Sequence, residues 1–320
     1  MKRACAIASI VFLMLTAAVH AADYPVRPVR IVVAYPAGGG DDLHARLVAE
    51  KLTQIYGRQF IVDNRPSAGG VLGFELVARA AADGYTLLLA GANITIVPHL
   101  RTYVKFNVLD DFTPVSQISS FQLMMVAHPS VPVRSIRDLI ALAKAQPGKL
   151  SFGSSGVGAT PHLSAELFKR MAGVDIVHVP YKGGGAALTD LLAGRIELYF
   201  GTMATVTPLV KDNKVRALAV SGARRSPLLS QVPTMAESGL AGYELISWYG
   251  IFAPAGLPPD ILASLNAAIG KAIQMPDVVA RLAAVSVEAT GSSQADFARL
   301  VRETHHKFGR IIKDAGIKAD

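Results

Sequence analysis

The run Ile31-Val-Val-Ala-Tyr-Pro-Ala-Gly-Gly-Gly-Asp-Asp-Leu43 permits few folds. Ile31 to Tyr35 reads as a buried strand, the glycines as a tight turn, and the rest as the start of a helix. Leu43, Leu47, Val48, Leu52 and Ile55 fall on one face of that helix. Gly38, Gly39 and Gly40 carry no Cβ, so the backbone turns sharply and approaches a ligand closely. The turn ends at a helix N-terminus, where unpaired N–H groups and the macrodipole attract anions. A second run, Leu150-Ser-Phe-Gly-Ser-Ser-Gly-Val-Gly-Ala-Thr-Pro-His-Leu163, repeats the design. Here Thr160 is placed as N-cap and Pro161 at the first helical position. Two such turns, far apart in the chain, imply two domains gripping one anion.

Strand and helix signals alternate from residue 29 onward. Val29–Tyr35, Phe60–Asp63 and Thr86–Ala90 read as strands, with helices at Leu43–Tyr56 and Val71–Ala81 between them. This is the rhythm of a parallel sheet. Asn64-Arg-Pro-Ser-Ala-Gly-Gly70 then places another helix N-terminus at the same strand-end edge. Phe121–His128 is apolar and extended and reads as a crossing into a second domain. That domain continues the pattern through Asp175–Val179, the turn Pro180-Tyr-Lys-Gly-Gly-Gly185, and strands at Glu197–Phe200 and Val215–Ser221. Tyr243–Pro254, with the single tryptophan Trp248, reads as the return. The terminal helices are expected to pack onto the first domain. The fold class is therefore α/β with two domains, each a mostly parallel sheet flanked by helices. Residues 22–121 and 252–320 form the first domain and 122–251 an inserted second one. Two crossovers suit hinge closure.

At the N-terminus, Met1-Lys-Arg3 followed by the apolar run Ala4–Ala18 and Val19-His-Ala21 reads as a signal peptide over residues 1–21. Cys5 is the one cysteine in the chain and lies within it, so the mature protein is expected to hold no disulfide and no lipid anchor. Half the residues are hydrophobic (51%), as a globular protein requires. The net charge of +8 is spread out, without the basic and aromatic clusters of a nucleic-acid footprint.

Enzyme motifs fail on inspection. Val157 stands where a Gly-x-Ser-x-Gly nucleophile elbow needs its last glycine. Neither turn has a P-loop Lys-Ser/Thr pair, and Leu43 and Pro161 replace the third glycine of a dinucleotide fingerprint. His305-His306 reads as a solvated face. No cofactor or metal is implied.

What remains is recognition: backbone N–H groups at two helix N-termini, hydroxyls of Ser67, Ser155 and Thr160, and the Asn93 amide. His162 lies in the first turn of its helix, so it either faces the ligand or bonds nearby backbone. Tyr35 and Tyr181 stand at turn entrances and line the pocket or belong to the core. Asp41 reads as a helix cap. Asp42 either points its charge into the helix or pairs with an amine on the ligand.

Together these stretches resemble the Bug receptors, the substrate-binding proteins of tripartite tricarboxylate transporters. The resemblance runs through Pro36-Ala-Gly-Gly-Gly-Asp-Asp-Leu-His-Ala-Arg46, Asn64-Arg-Pro-Ser-Ala-Gly-Gly70, Ala82-Asp-Gly-Tyr-Thr-Leu87, and Asp111-Phe-Thr-Pro-Val115. It continues through Gly153-Ser-Ser-Gly-Val-Gly158, His178-Val-Pro-Tyr-Lys-Gly183, and Trp248-Tyr-Gly250 to Gly256. It implies a periplasmic, two-domain, Venus-flytrap (type II-like) binding protein that captures a small organic acid, and a monomer is expected because nothing in the sequence indicates a homo-oligomer. The acid is then handed to membrane permease subunits or reported to a sensor kinase; an enzyme of organic acids is the remote alternative. By this likeness the ligand turns are Ala37–Asp42, with Gly38 and Gly39, and Ser154–Thr160, with Gly158. Ser67, Asp41, Gly201 and Thr202 depart from the family pattern where a ligand is touched.

Overall fold

Long apolar runs that alternate with amphipathic ones become strands shielded by helices, and the chain follows that rule closely. The computed structural model describes residues 24–181 and 183–318. The expected signal peptide and Cys5 lie outside them. The first half comprises β1 (Val29–Val33), α1 (Gly40–Tyr56), β2 (Phe60–Asn64), α2 (Val71–Ala78), β3 (Thr86–Gly91) and the short α3 (Val97–Leu100). A long strand, β4 (Phe112–Ala127), leads out of it. Then come α4 (Ile136–Ala145), β5 (Ser151–Ser154), α5 (Thr160–Ala172), β6 (Val177–Pro180), α6 (Gly184–Leu192), β7 (Leu198–Thr202), α7 (Met203–Lys211) and β8 (Arg216–Val220). The chain returns through β9 (Ile246–Pro254) and ends with α8 (Pro259–Ile273), α9 (Pro276–Ala284), β10 (Glu288–Ala289) and α10 (Gln294–Asp314).

The strands run in the order β2-β1-β3-β9-β4-β7-β5-β6, with β8 and β10 also paired to β4. β1 is parallel to β2 and β3, and β5 is parallel to β6 and β7. β9 runs antiparallel to β3 and β4. The sheet is thus mixed, with parallel strands at either end and antiparallel pairing at its centre. β4 changes partners along its length: Phe112–Gln122 pair with β9, and Leu123–Ala127 pair with β7 and β8. The sequence caught only its second part, because Pro114 and the polar Ser116–Ser120 stretch disguise the first. Pro114 lacks an N–H, and it sits beside a register shift. β9 pairs with the first part of β4 from Ile246 onward, although residues 246–251 were expected in the inserted domain.

Ile31, Val32 and Val33 are fully buried, as strands covered on both faces must be. Ala45, Val48 and Leu52 of α1, with Leu265 and Ile269 of α8, pack over one side. α10 covers β4 with Phe297, Val301 and Phe308, and Trp248 Nε1 donates to Thr304 Oγ1 at 3.1 Å. The same helix also reaches α5, where Arg170 pairs with Asp314, so it does not pack on the first half alone. His305 is not simply solvated: its ring lies 4.3 Å from that of His99. Among the described residues no helix is long and apolar enough to cross a membrane.

Phe297 has no exposed surface and its ring meets Trp248 and Phe252 at 5.3 and 5.1 Å between centroids. Phe297→Ala should therefore cost about 3–5 kcal/mol. The check is a denaturant titration whose midpoint falls while its slope holds.

Candidate functional site

The first turn follows β1. Tyr35 is half-buried and Pro36 to Gly40 are exposed. Gly38 adopts φ +87°, which a side chain would resist. Gly39 is the N-cap of α1, with no side-chain capping bond, so the first-turn N–H groups stay open to an anion. Asp42 is buried and turned inward. Its Oδ2 accepts from Gly38 N–H and from Arg46 Nε, each at 2.9 Å. The Arg46 hydrogen bond chiefly holds its carboxyl below the usual range. Asp42 Oδ2 thus braces its own turn, while Oδ1 is buried with no hydrogen-bond partner among the described residues. Asp41 takes the outward position. It is half-buried, burial lifts its carboxyl to about 6, and its charge bears on the hydroxyls of Tyr35 and Tyr249.

Behind this turn, His44 Nδ1–H donates to Gly40 O at 2.7 Å, leaving Nε2 buried and unpartnered. Desolvation pushes that imidazole down to about 4, so it is neutral at pH 7. Its ring stacks on Tyr249 at 4.1 Å, and Tyr249 stacks on Phe121 at 5.6 Å. The Tyr249 hydroxyl lies 2.6 Å from where a Cβ on Gly40 would stand, so the turn fits only with glycine there.

The segment after β3 joins the first turn to the second. Asn93 Nδ2–H donates to the Tyr35 hydroxyl. Leu100 of α3 occupies the space beside Gly158: a Cβ there would lie 1.9 Å from Leu100 Cδ1. Gly158 also has φ +75°, so both conformation and contact demand glycine. The two turns therefore meet a common segment, Asn93 to Arg101.

The second turn is held from within by two stacked histidines. The rings of His162 and His178 lie 3.8 Å apart at 12°, with Phe152 beyond His178 at 4.8 Å. His162 Nδ1 accepts from Gly158 N–H at 3.0 Å, so its proton sits on Nε2, facing Glu166. Ser154 Oγ donates to Gly156 O at 3.1 Å and meets His178 Nε2 at 2.7 Å, which makes His178 the donor there. His162, only 3% exposed, braces the loop and presents nothing to a ligand. Ser154 is fully buried and serves the same purpose. Ala159, not Thr160, is the N-cap of α5. That leaves the hydroxyls of Ser155 and Thr160 without an internal hydrogen bond among the described residues.

The other expected residues are spread around these turns. Ser67 Oγ accepts from Leu72 N–H at 3.0 Å across the short turn Ala68–Gly70 that leads into α2, whose N-cap is Gly70. Tyr181 joins the second turn by its backbone, N–H to Ser154 O at 3.1 Å, while its hydroxyl donates to Asp190. Thr202 ends β7 opposite Leu123, its hydroxyl against Thr205. Ala37 is exposed in the first turn. His44, Arg101, His178 and Tyr249 were not assigned to the site from sequence. His44 had one available signal, since it lies four residues after Gly40 on the turn-bearing helix. Among the described residues no cluster of His, Cys, Asp and Glu is arranged to hold a metal. An open hollow of about 460 Å³ lies between α5 and α10, lined by Arg170, Asp175, Ile311 and Asp314. It opens at the far end of α5 from the glycine turn.

A mixed α/β sheet with two glycine turns at helix N-termini is the framework of a solute-binding receptor. Residues 44–317 match the tripartite tricarboxylate transporter family receptor, and the chain belongs to that family. BugT of Bordetella pertussis is 34% identical over 95% of this chain and 94% of its own. A Rhodopseudomonas palustris protein solved with adipate is 38% identical with a TM-score of 0.80, over 92% of this chain and 99% of that one. MatC from Rhodopseudomonas palustris, solved with malate, is 29% identical with a TM-score of 0.75, over 90% and 100%. The family is one of receptors, and the chain is a binding protein rather than an enzyme.

Burial, the neighbouring ring and the Lys169 charge push His162 down to about 3, and burial with Lys169 pushes His178 to about 4. An unfolded histidine takes its proton near 6.5. The unfolded state therefore binds more protons below that pH, and stability rises with pH across the interval. The melting temperature should stay level above pH 7 and fall between about pH 6.5 and 4. Replacing His178 with phenylalanine should flatten that fall; an unchanged profile in the variant would remove the pair from the account.

Proposed function

We propose that this chain is a periplasmic receptor that closes its two halves around a small organic carboxylate for a tripartite tricarboxylate-type transporter. The observation that carries the reading is the convergence of two glycine turns, each at an open helix N-terminus, on the segment Asn93–Arg101. Such N-termini hold a carboxylate through backbone N–H groups without requiring a basic side chain. Family membership supports the receptor role, and relatives solved with adipate and malate support the ligand class. The signal peptide read at residues 1–21 supports export. Ser155, Thr160, Asn93, Tyr35 and the N–H groups of Gly39, Gly40 and Asp42 form the ligand contacts in this reading. Ser154, His162 and Asp42 hold the turns in shape from behind.

The halves pivot, in this reading, where β4 changes partners at Gln122/Leu123 and where β9 begins at Ile246. The second boundary then falls slightly earlier than residue 251. The mature protein works as a monomer that docks on permease subunits.

A panel of mono-, di- and tricarboxylates with neutral sugars as controls tests this by thermal shift. A ligand that binds only the native state adds about 2.7 kcal/mol at a hundredfold excess over its Kd. One class of acids should raise the melting temperature and the sugars should not. Gly158→Ala should weaken that shift, because alanine is strained at φ +75° and its methyl displaces Leu100 Cδ1. A panel without a single responding acid, repeated on unfolded and refolded protein to exclude a resident ligand, would sink the reading.

A further inference from the structure

Two charged side chains beside the turns lack a partner of opposite sign among the described residues. Asp41 stands in the first turn of α1, half-buried, and no basic group comes within ion-pair distance of it. Unlike Asp42, it braces nothing; its internal hydrogen bond is to its own backbone. Arg101 follows α3 and is also half-buried. Its Nη1 donates to the neutral Tyr103 hydroxyl at 2.7 Å, and its Nε lies 3.2 Å from where a Cβ on Gly69 would be. Asp41 and Arg101 do not pair with each other, yet the charges of both act on the Tyr35 hydroxyl. That hydroxyl already accepts from Asn93, so its own proton is free to donate. Leu100, the residue before Arg101, touches the second turn at Gly158.

A half-buried carboxylate beside an anion-holding turn repels a bare organic acid. The same carboxylate favours a ligand that brings a cation to it. Partly shielded from solvent, such a pair gains more than an exposed one, while an uncompensated Asp41 would be left stranded on closure. Resting on the receptor reading above, we propose that the ligand is a zwitterionic amino carboxylate. Its protonated nitrogen faces Asp41, and its carboxylate lies with the open helix N-termini and Arg101. Asp41 then selects aminated acids against the unaminated ones, a choice that distinguishes this chain from relatives solved with adipate and malate.

Calorimetric titration of the purified protein with matched pairs reads this directly: aspartate and succinate, glutamate and glutarate, 2-aminoadipate and adipate, 4-aminobutyrate and butyrate. In at least one pair the aminated member should bind tenfold or more tightly than its partner. Asp41→Asn should weaken that member at least tenfold and leave the unaminated one unchanged or tighter. Arg101→Gln should weaken both members together. Melting curves of the variants without ligand establish that they fold, and Asp41→Ser repeats the test should the asparagine variant fail to. Unaminated acids that bind as well as or better than their partners in every pair would overturn the proposal and leave the receptor reading standing. So would an Asp41→Asn protein that keeps its affinity for the amine. No binding by any acid, aminated or not, would overturn both.

Discussion

The hydrogen bonds of one strand join the two halves of this molecule. β4 is 16 residues long, and no segment of it serves both halves at once. Through Gln122 it is bonded to β9, and beyond that to β7 and β8. Each half therefore closes its sheet with a piece of the same strand. Neither half can rearrange its ladder without displacing the origin of the other. Register shifts beside Pro114 and between Gln117 and Ser119 loosen the β4–β9 pairing, and another falls between Met125 and Val126 where β4 meets β8. A long strand interrupted in this way keeps its bonds while it bends.

Much of this fold was legible because buried strands leave a plain sequence signal. Ile31–Val33 and Leu87–Gly91 are runs of apolar residues with no polar alternation, as strands covered on both faces read. Helices with a wide apolar face, such as α1 and α10, were equally clear. The first part of β4 was hidden by proline and serine, since it pairs in an irregular register that periodicity cannot represent. The short α7 was hidden by Pro208 inside it. The bridge from α10 to α5 was not legible at all, because an amphipathic pattern reports that a face is buried but not against what.

The site divided along similar lines. Glycine turns at helix N-termini are local, and the sequence placed both. Which neighbour of a turn faces inward is not local. Asp41 and Asp42 are chemically identical and adjacent, and only the reach of Arg46 and Gly38 N–H toward Asp42 separates their roles. His162 shows the same limit: the first turn of a helix was right, but the stack with His178 depends on a strand distant in sequence. Tyr249 and Arg101 enter the neighbourhood from β9 and α3, elements whose approach to the first turn no motif encodes.

The column of rings from His44 through Tyr249 to Phe121 has a mechanical meaning. Tyr249 belongs to β9 and Phe121 to β4, two strands paired with each other, whereas His44 sits one helical turn beyond Gly40. Flat rings in contact transmit displacement much as stacked plates do, and sliding one moves the next. A change in the splay of β4 and β9 therefore arrives at the glycine turn before α1 as a shift of His44 and of the Gly40 carbonyl it holds. Trp248, the chain's sole indole, lies in β9 next to Tyr249 in a fully packed setting. Its emission is thus an intrinsic gauge of that strand, readable without any attached label.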